Sequence, residues 1–441
     1  MDTEEFTLPR SQQANERLHA LIPGGAHTYA KGEDQYPEHL APVISHGHGA
    51  HVWDIDDNRY IEYGSGLRSV SLGHAHPRVL EAVRREIDRG SNFVRPSIVE
   101  VEAAERFLAT VPTAEMVKFA KNGSDVTTAA VRLARAATGR PRVAICGDHP
   151  FFSVDDWFIG TTPMSAGIPA QTTELTVAFP YGDLAATEEV LSRYEDEVAC
   201  LILEPAGHSE PPAGYLEGLR ELADRYGCVL IFDEMITGLR WSEAGAQGLY
   251  GVTPDLSTFG KALGNGFAVS ALAGRRDLME RGGLRHSGDR VFLLSTTHGA
   301  ETHSLAAAMA VLTTYTEEGI TARLHALGER LAAGVREAAA GMGVGDHVVV
   351  RGRASNLVFA TLDENLQPSQ EYRTLFLRRL LAGGVLAPSF VVSSALDDAD
   401  IDRTVEVVAQ ACAVYRKALD AADPTSWMGG RPVKPVFRRL A

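Results

Sequence analysis

Cysteine is scarce in this chain, with four in 441 residues, at Cys146, Cys200, Cys228 and Cys412. They lie far apart with no paired spacing, which excludes a cysteine metal site. Apolar neighbours, as in Ala199-Cys200-Leu201-Ile202 and Gly227-Cys228-Val229-Leu230, make them reduced core thiols rather than a disulfide framework. No apolar run approaches the ~20 residues that span a bilayer. Fixed-period repeats and low-complexity tracts are also missing. Positive charge is in deficit: 42 Lys and Arg face 57 Asp and Glu, a formal net charge of -15. That balance argues against nucleic acid or membrane as a partner, although a local cation can still hold an anionic small molecule. Met1 to Arg10 is acidic and polar without an apolar stretch, so it does not read as a secretion signal, and a cytoplasmic location is expected.

What is present is an ordinary globular balance, 45% hydrophobic and 22% charged, in a chain long enough for a large domain and a smaller one. The first seventy-odd residues are turn-rich. Gly49 to Asp56 alternates like a strand, Asp57-Asn58-Arg59 reads as a turn, and Tyr60 to Tyr63 reads as the return. A helix is expected from about Pro77 to Arg89, with Val79, Leu80, Val83 and Ile87 on one face. Farther on, Arg142–Cys146, Ala199–Leu203 and Cys228–Phe232 look like strands buried on both faces. A helix from Leu216 to Tyr226, ended by Gly227, separates the last two. Strand, helix, strand at this spacing implies a parallel sheet, and so an α/β fold. After a helix-rich stretch from Leu305 to Ala340, strands at Val348–Arg351 and Asn356–Ala360 and helices at Gln370–Leu381 and Asp400–Ala421 form an α+β layer. The divisions drawn are 1–75, 76–310 and 311–441, the first and last forming the small domain. The tail from Pro424, rich in Pro, Gly and basic residues, fits either an ordered arm or a flexible end.

Ligands of open parallel sheets bind beyond the carboxyl ends of the strands. Glu204 follows Leu201-Ile202-Leu203, and Asp233-Glu234 follows Leu230-Ile231-Phe232, so each stands at such an end. Taken singly, either could be a helix cap or a salt-bridged rim. Lys261 lies in Gly260-Lys261-Ala262-Leu263-Gly264, after the apolar segment Leu256 to Phe259. Small neighbours leave room for an adduct on its amine, and desolvation there favours the neutral nucleophile. A lysine in a glycine-rich loop is otherwise a solvated charge. Asn122-Gly123-Ser124 comes before a helix expected over Ala129 to Ala137, where exposed N–H groups could hold a phosphate or a plain cap could form.

Together these residues resemble the class III, fold-type-I aminotransferases, in the branch that is similar to glutamate-1-semialdehyde 2,1-aminomutase. The resemblance runs from Pro23-Gly24-Gly25 to the C-terminal domain. It is strongest over Phe232-Asp233-Glu234-Met235-Ile236-Thr237-Gly238-Leu239-Arg240, Gly251-Val252-Thr253-Pro254-Asp255-Leu256 and Gly260-Lys261, with 28 residues from Asp233 to Lys261. It implies a large, mostly parallel-sheet domain and pyridoxal 5′-phosphate as cofactor. Lys261 would carry the cofactor as a Schiff base and later shuttle a proton, and Asp233 would keep the ring nitrogen protonated. Gly123 and Ser124 would bind the phosphate, and Glu204 would stand near the ring. Thr297 would reach the phosphate from the neighbouring subunit, which requires at least a homodimer. Where the family carries an aromatic-His-Gly triplet, this chain reads Asp148-His149-Pro150-Phe151-Phe152-Ser153. Phe151 is the choice for the stacking ring, with Phe152 and His149 behind it.

The aminomutase uses a basic residue after Pro-Gly-Gly and a Glu in the loop before the final helix. Here those stretches read Ala26-His27-Thr28-Tyr29-Ala30-Lys31 and Ala387-Pro388-Ser389-Phe390-Val391-Val392-Ser393-Ser394, with neither the arginine nor a carboxylate. Transamination between an amino donor, glutamate by preference, and a polar carbonyl acceptor such as a sugar or cyclitol is therefore favoured over the mutase. Arg68, Arg240 and Tyr29 are the candidate substrate residues. Two rival readings stand beside this one. One is a histidine metal site from His46, His48 and His51, for which strand alternation puts His51 on the opposite face. The other is a non-catalytic descendant of the fold, against which Lys261, Asp233 and Gly123-Ser124 speak together.

Overall fold

The computed structural model describes residues 6–149 and 151–439. The chain forms two compact units, one of residues 1–65, 71–76 and 322–441 and the other of residues 66–70 and 77–321.

In the smaller unit, β1 (Ile44–His48), β2 (His51–Asp54) and β3 (Arg59–Glu62) form an antiparallel meander. The β2–β3 turn passes through Asp57 in the left-handed region (φ 70°). Asp54 makes this possible, since its Oδ1 accepts the N–H groups of Asp56 (2.9 Å) and Asn58 (2.8 Å) while Oδ2 takes the Tyr60 hydroxyl (2.7 Å). β1 shows in the sequence only through the strand face that His46 and His48 would share, because its side chains are mostly exposed and carry no apolar alternation.

The larger unit is built on a seven-stranded sheet of β4 (Met116–Ala120), β5 (Arg142–Cys146), β6 (Thr176–Phe179), β7 (Val198–Leu203), β8 (Val229–Asp233), β9 (Leu256–Phe259) and β10 (Ser270–Gly274). Its order is β4-β10-β9-β8-β7-β5-β6, and only β10 runs antiparallel to its neighbours. β7 and β8 are buried throughout. Successive residues enter opposite cores: Ile202 and Ile231 pack with Val131 and Leu133, while Leu201 and Leu230 pack with Leu219 and Leu222. Each such side chain contributes roughly 1.5–3 kcal/mol on burial. The helix Tyr215–Tyr226 between β7 and β8 ends at Gly227 in the left-handed conformation (φ 61°).

Two details differ from the sequence reading. The Pro77–Ile87 helix buries Val79, Ala82, Val83 and Glu86, while Ile87 is exposed. The helix Thr302–Glu318 packs against the helices Pro77–Ile87 and Ile98–Thr110, so the larger unit runs to Thr321 rather than stopping at 310.

The rest of the smaller unit comes from the chain's last third. β11 (Val348–Arg351) pairs with β12 (Val358–Thr361), and β13 (Val385–Leu386) joins β3 in parallel. The tail is an ordered arm. Lys434 N–H donates to the Asp34 carbonyl (2.9 Å), Arg431 N–H to Glu38 (2.9 Å) and Val433 N–H to Thr374 Oγ1 (2.8 Å), with Val433 buried.

Candidate active site

Three parallel, adjacent strands end at one edge of the larger unit's sheet. β7 delivers Glu204, β8 ends in Asp233, and β9 leads through Gly260 into Lys261. Burial holds the Lys261 amine below its ordinary range, against the opposing pull of Asp233 and Glu204, while Arg68 and Arg240 push it further down. Burial raises Asp233, which Lys261 partly offsets. Glu204 is pushed up to about 7, by burial first and then by Asp233, with Lys261 and Arg68 opposing. One amine and two carboxyls thus share a low-dielectric site. Lys261 sits in the left-handed region (φ 46°), a conformation unfavourable for a side-chain-bearing residue and tolerated where the surroundings over-determine it.

Asp233 is aimed by its neighbours. Its Oδ1 accepts the Met235 N–H (3.0 Å) and the hydroxyl of Thr258 (3.1 Å), its register partner on β9. Among the described residues Oδ2 accepts no hydrogen bond, so one oxygen stays available to a ligand N–H. The adjacent Glu234 has a different task. It is fully buried and accepts the N–H groups of Ala246 and Gln247 (both 2.8 Å) and the Thr237 hydroxyl, tying down the Gly245–Tyr250 helix.

Gly123 and Ser124 form the first turn of a helix running Gly123–Thr138, which starts six residues before the expected Ala129. The early start comes from a capping box. Asn122 Oδ1 accepts the Asp125 N–H (3.1 Å), and Asp125 Oδ2 accepts that of Asn122 (3.2 Å). The cap forms, and it does not use every N–H of the first turn. The cap satisfies Asp125, while the N–H groups of Gly123 and Ser124 meet no acceptor among the described residues. Met235 fills the space between this turn and the lysine loop. A Cβ on Gly123 would lie 3.2 Å from its Sδ, and one on Gly260 only 2.6 Å.

Phe151 keeps 41% of its surface exposed and meets Phe158 in a T-shaped contact. Phe152 is buried behind it, with His149 beside it. Arg68 stands close enough to Glu204 for each to shift the other. Arg240 is fully buried and donates from Nη2 to the Arg68 carbonyl (3.2 Å), bracing the turn that presents Arg68. Thr297 is exposed in the irregular segment before the Thr302–Glu318 helix. Tyr29 belongs to the smaller unit, exposed in a short 3₁₀ turn. His46 stacks on Trp53 (4.7 Å), and His51 contacts Asp400 (2.9 Å) and Arg59 (2.7 Å). Among the described residues no three His, Cys, Asp or Glu cluster as metal ligands, and no helix is long and apolar enough to cross a membrane.

Thr258 and Met235 escaped the sequence reading as parts of the site. Thr258 left no distinguishing signal, since Ser257 beside it on β9 carries a hydroxyl too.

The residues fit pyridoxal 5′-phosphate. A free carboxylate oxygen faces a ring nitrogen's chemistry, an amine of lowered basicity suits a carbonyl carbon, two open N–H groups suit a phosphate, and an exposed aromatic side chain suits a ring. Fold and site define a parallel-sheet enzyme with a lysine–carboxylate centre. Residues 32–391 match the aminotransferase class-III family, and the chain belongs to it. It is 33% identical over 431 residues (92% of this chain, 97% of the relative) to glutamate-1-semialdehyde 2,1-aminomutase of Methanothrix thermoacetophila. A solved transaminase with PLP bound superposes with TM-score 0.85 at 26% identity, covering 94% of this chain and all of its own. A glutamate-1-semialdehyde aminomutase from Pseudomonas aeruginosa PAO1 shares the fold (TM-score 0.80, 22% identity, 92% and 95% coverage).

Proposed function

We propose that this chain is a pyridoxal-phosphate-dependent aminotransferase that moves an amino group from an amino-acid donor, glutamate by preference, to the carbonyl of a polar small molecule. The carrying observation is the meeting of the Lys261 amine with the Asp233 carboxylate, one oxygen of which is left open, at the ends of adjacent parallel strands. When bound, the cofactor supplies an electron sink for the carbon that bears the amino group. Asp233 Oδ2 holds a proton at the ring nitrogen. Lys261 Nζ would hold the cofactor and, when free, would carry a proton to and from the carbon that bears the amino group. Its lowered basicity keeps the amine able to accept that proton. Gly123 and Ser124 bind phosphate through their N–H groups, and Phe151 covers one ring face. Arg68 is the cation for a substrate carboxylate, with Arg240 behind it and Tyr29 as a further substrate contact.

Thr297 is assigned to the phosphate of a second copy, making the enzyme a homodimer. Its segment and the loop bearing the exposed Phe93 and Val94 adjoin, because Thr302 N–H donates to the Ser91 carbonyl (3.0 Å), and Phe292 adds a further exposed ring. Such an apolar surface fits burial against a partner.

The 33% identity to an aminomutase supports a second reading, isomerisation of glutamate 1-semialdehyde. The missing arginine after Pro23-Gly24-Gly25 and the carboxylate-free Ala387–Ser394 stretch favour transamination. Amino acids added to purified protein decide between them. Conversion of the cofactor band to the pyridoxamine form by glutamate supports transamination. Conversion by 4,5-diaminovalerate but not glutamate returns the mutase. A protein with no cofactor band, or one whose band survives in Lys261→Ala, overturns both.

A further inference from the structure

Two side chains hold the backbone that carries Glu204 by its peptide groups. The Glu204 N–H donates to Nδ1 of His149 (3.0 Å), and the carbonyl of Pro205 accepts the hydroxyl of Tyr181 (2.9 Å). The two rings touch, with centroids 5.2 Å apart and planes at 54°. Each is anchored elsewhere. His149 N–H donates to the Cys146 carbonyl at the end of β5 (3.3 Å), and Tyr181 N–H donates to Asp148 Oδ2 (2.6 Å). Phe152 also packs against His149, and Tyr215 against Tyr181. Pro205 stiffens the held peptide through its fixed φ.

An imidazole nitrogen that accepts an amide N–H cannot carry a proton, so the ring is the neutral tautomer with hydrogen on Nε2. Burial agrees: it holds His149 down to about 4, with Asp148 opposing and His208 adding to the effect. The charged groups facing Glu204 itself are Asp233, Lys261 and Arg68.

We propose that His149, with Tyr181, is a positioning residue. It fixes the Glu204-Pro205 segment, through the peptide groups on either side of it, so that the Glu204 carboxyl stands beside the Lys261 amine and stores the proton that this amine gives up. The inference rests on the assignment of Lys261 as the cofactor amine. The step is a single proton transfer from ammonium nitrogen to carboxylate oxygen, leaving a neutral amine and a neutral carboxyl with nothing oxidised. A carboxylate fixed in a polar, solvated place would give that proton up to water, whereas burial at this position favours the protonated form.

The test uses the holoenzyme and two His149 substitutions. His149→Asn places an amide oxygen where Nδ1 accepts, while His149→Leu leaves the Glu204 N–H unpaired. The pH titration of the bound cofactor's absorbance is compared with that of Glu204→Gln, which identifies the component belonging to Glu204. In His149→Leu that component should move to lower pH by about one unit, a tenfold loss of proton affinity, and kcat should fall with KM little changed. His149→Asn should restore both. In apoprotein labelled with ¹⁵N-histidine, the His149 signal should be that of a neutral ring with hydrogen on Nε2 throughout the neutral range. A His149→Leu profile superimposable on wild type, or a His149 ring found charged or protonated on Nδ1, overturns the proposal. A wild-type protein that never takes up the cofactor overturns the functional assignment instead, and the histidine signal still judges the clamp.

Discussion

At the scale of single residues, the site is a contest between burial and charge. Glu204 and Glu234 are both pushed up to about 7 from an ordinary 4.5, chiefly by burial. Each therefore holds its proton more tightly folded than unfolded. Between those two values the folded state binds the extra protons, and stability falls as pH rises through the window, by up to about 1.4 kcal/mol per pH unit for each group. Thermal melts of the apoprotein across that window should show higher stability toward the acidic side, and Glu204→Gln should flatten the slope. A slope unchanged by that substitution counts against the burial account. Asp233→Asn removes the carboxylate charge while keeping its shape, and turnover should drop roughly 10²–10³-fold, the scale of a lost electrostatic contact at a reacting centre. Glu234→Gln should behave differently. It should cost about 1–3 kcal/mol in stability through its buried N–H partners and leave cofactor affinity unchanged.

At the scale of elements, what the sequence disclosed followed from burial. β7 and β8 were legible because burial on both faces leaves an unbroken apolar run, and the acids at their ends stood out against it. The Asp233–Lys261 spacing was legible through the resemblance to class III aminotransferases, since β9 between them is half polar, Leu256-Ser257-Thr258-Phe259. The exposed edge strand β1 had no such contrast. The start of the Gly123–Thr138 helix was misjudged because Asn122 and Asp125 look like loop residues until their reciprocal bonds are seen. The Thr258–Asp233 contact joins neighbouring strands and the His149–Glu204 contact joins the segments that follow β5 and β7, so only strand order reveals them. The packing of Met235 between Gly123 and Gly260 belongs here too. Gly260→Ala would drive a methyl to within 2.6 Å of the Met235 sulfur. The clash should cost about 1–3 kcal/mol and loosen both the phosphate turn and the lysine loop. Weaker cofactor retention on dialysis, together with a lower melting temperature, is the expected pair of results.

At the scale of the whole molecule, the homodimer proposal has a direct check. Lys261→Ala homodimers should be inactive, and Thr297→Ala homodimers should hold the cofactor roughly tenfold more weakly, as for one lost hydrogen bond to a charged group. Hybrids of the two contain one site free of both lesions if Thr297 serves the opposite copy, and activity at low cofactor should then reappear. If Thr297 serves its own copy, every site in the hybrid carries a lesion and nothing is regained.

The smaller unit is made from both ends of the chain. β3 acquires its parallel neighbour β13 only from residues 385–386, and the arm that bonds Asp34 and Glu38 comes later still. During synthesis the opening segment must therefore wait, with one strand edge unclaimed, while the intervening seven-stranded sheet assembles. Deleting residues 431–434 would therefore strip the Asp34–Glu38 stretch of the bonds that hold it from the far end of the fold, while the β3–β13 pairing stays whole.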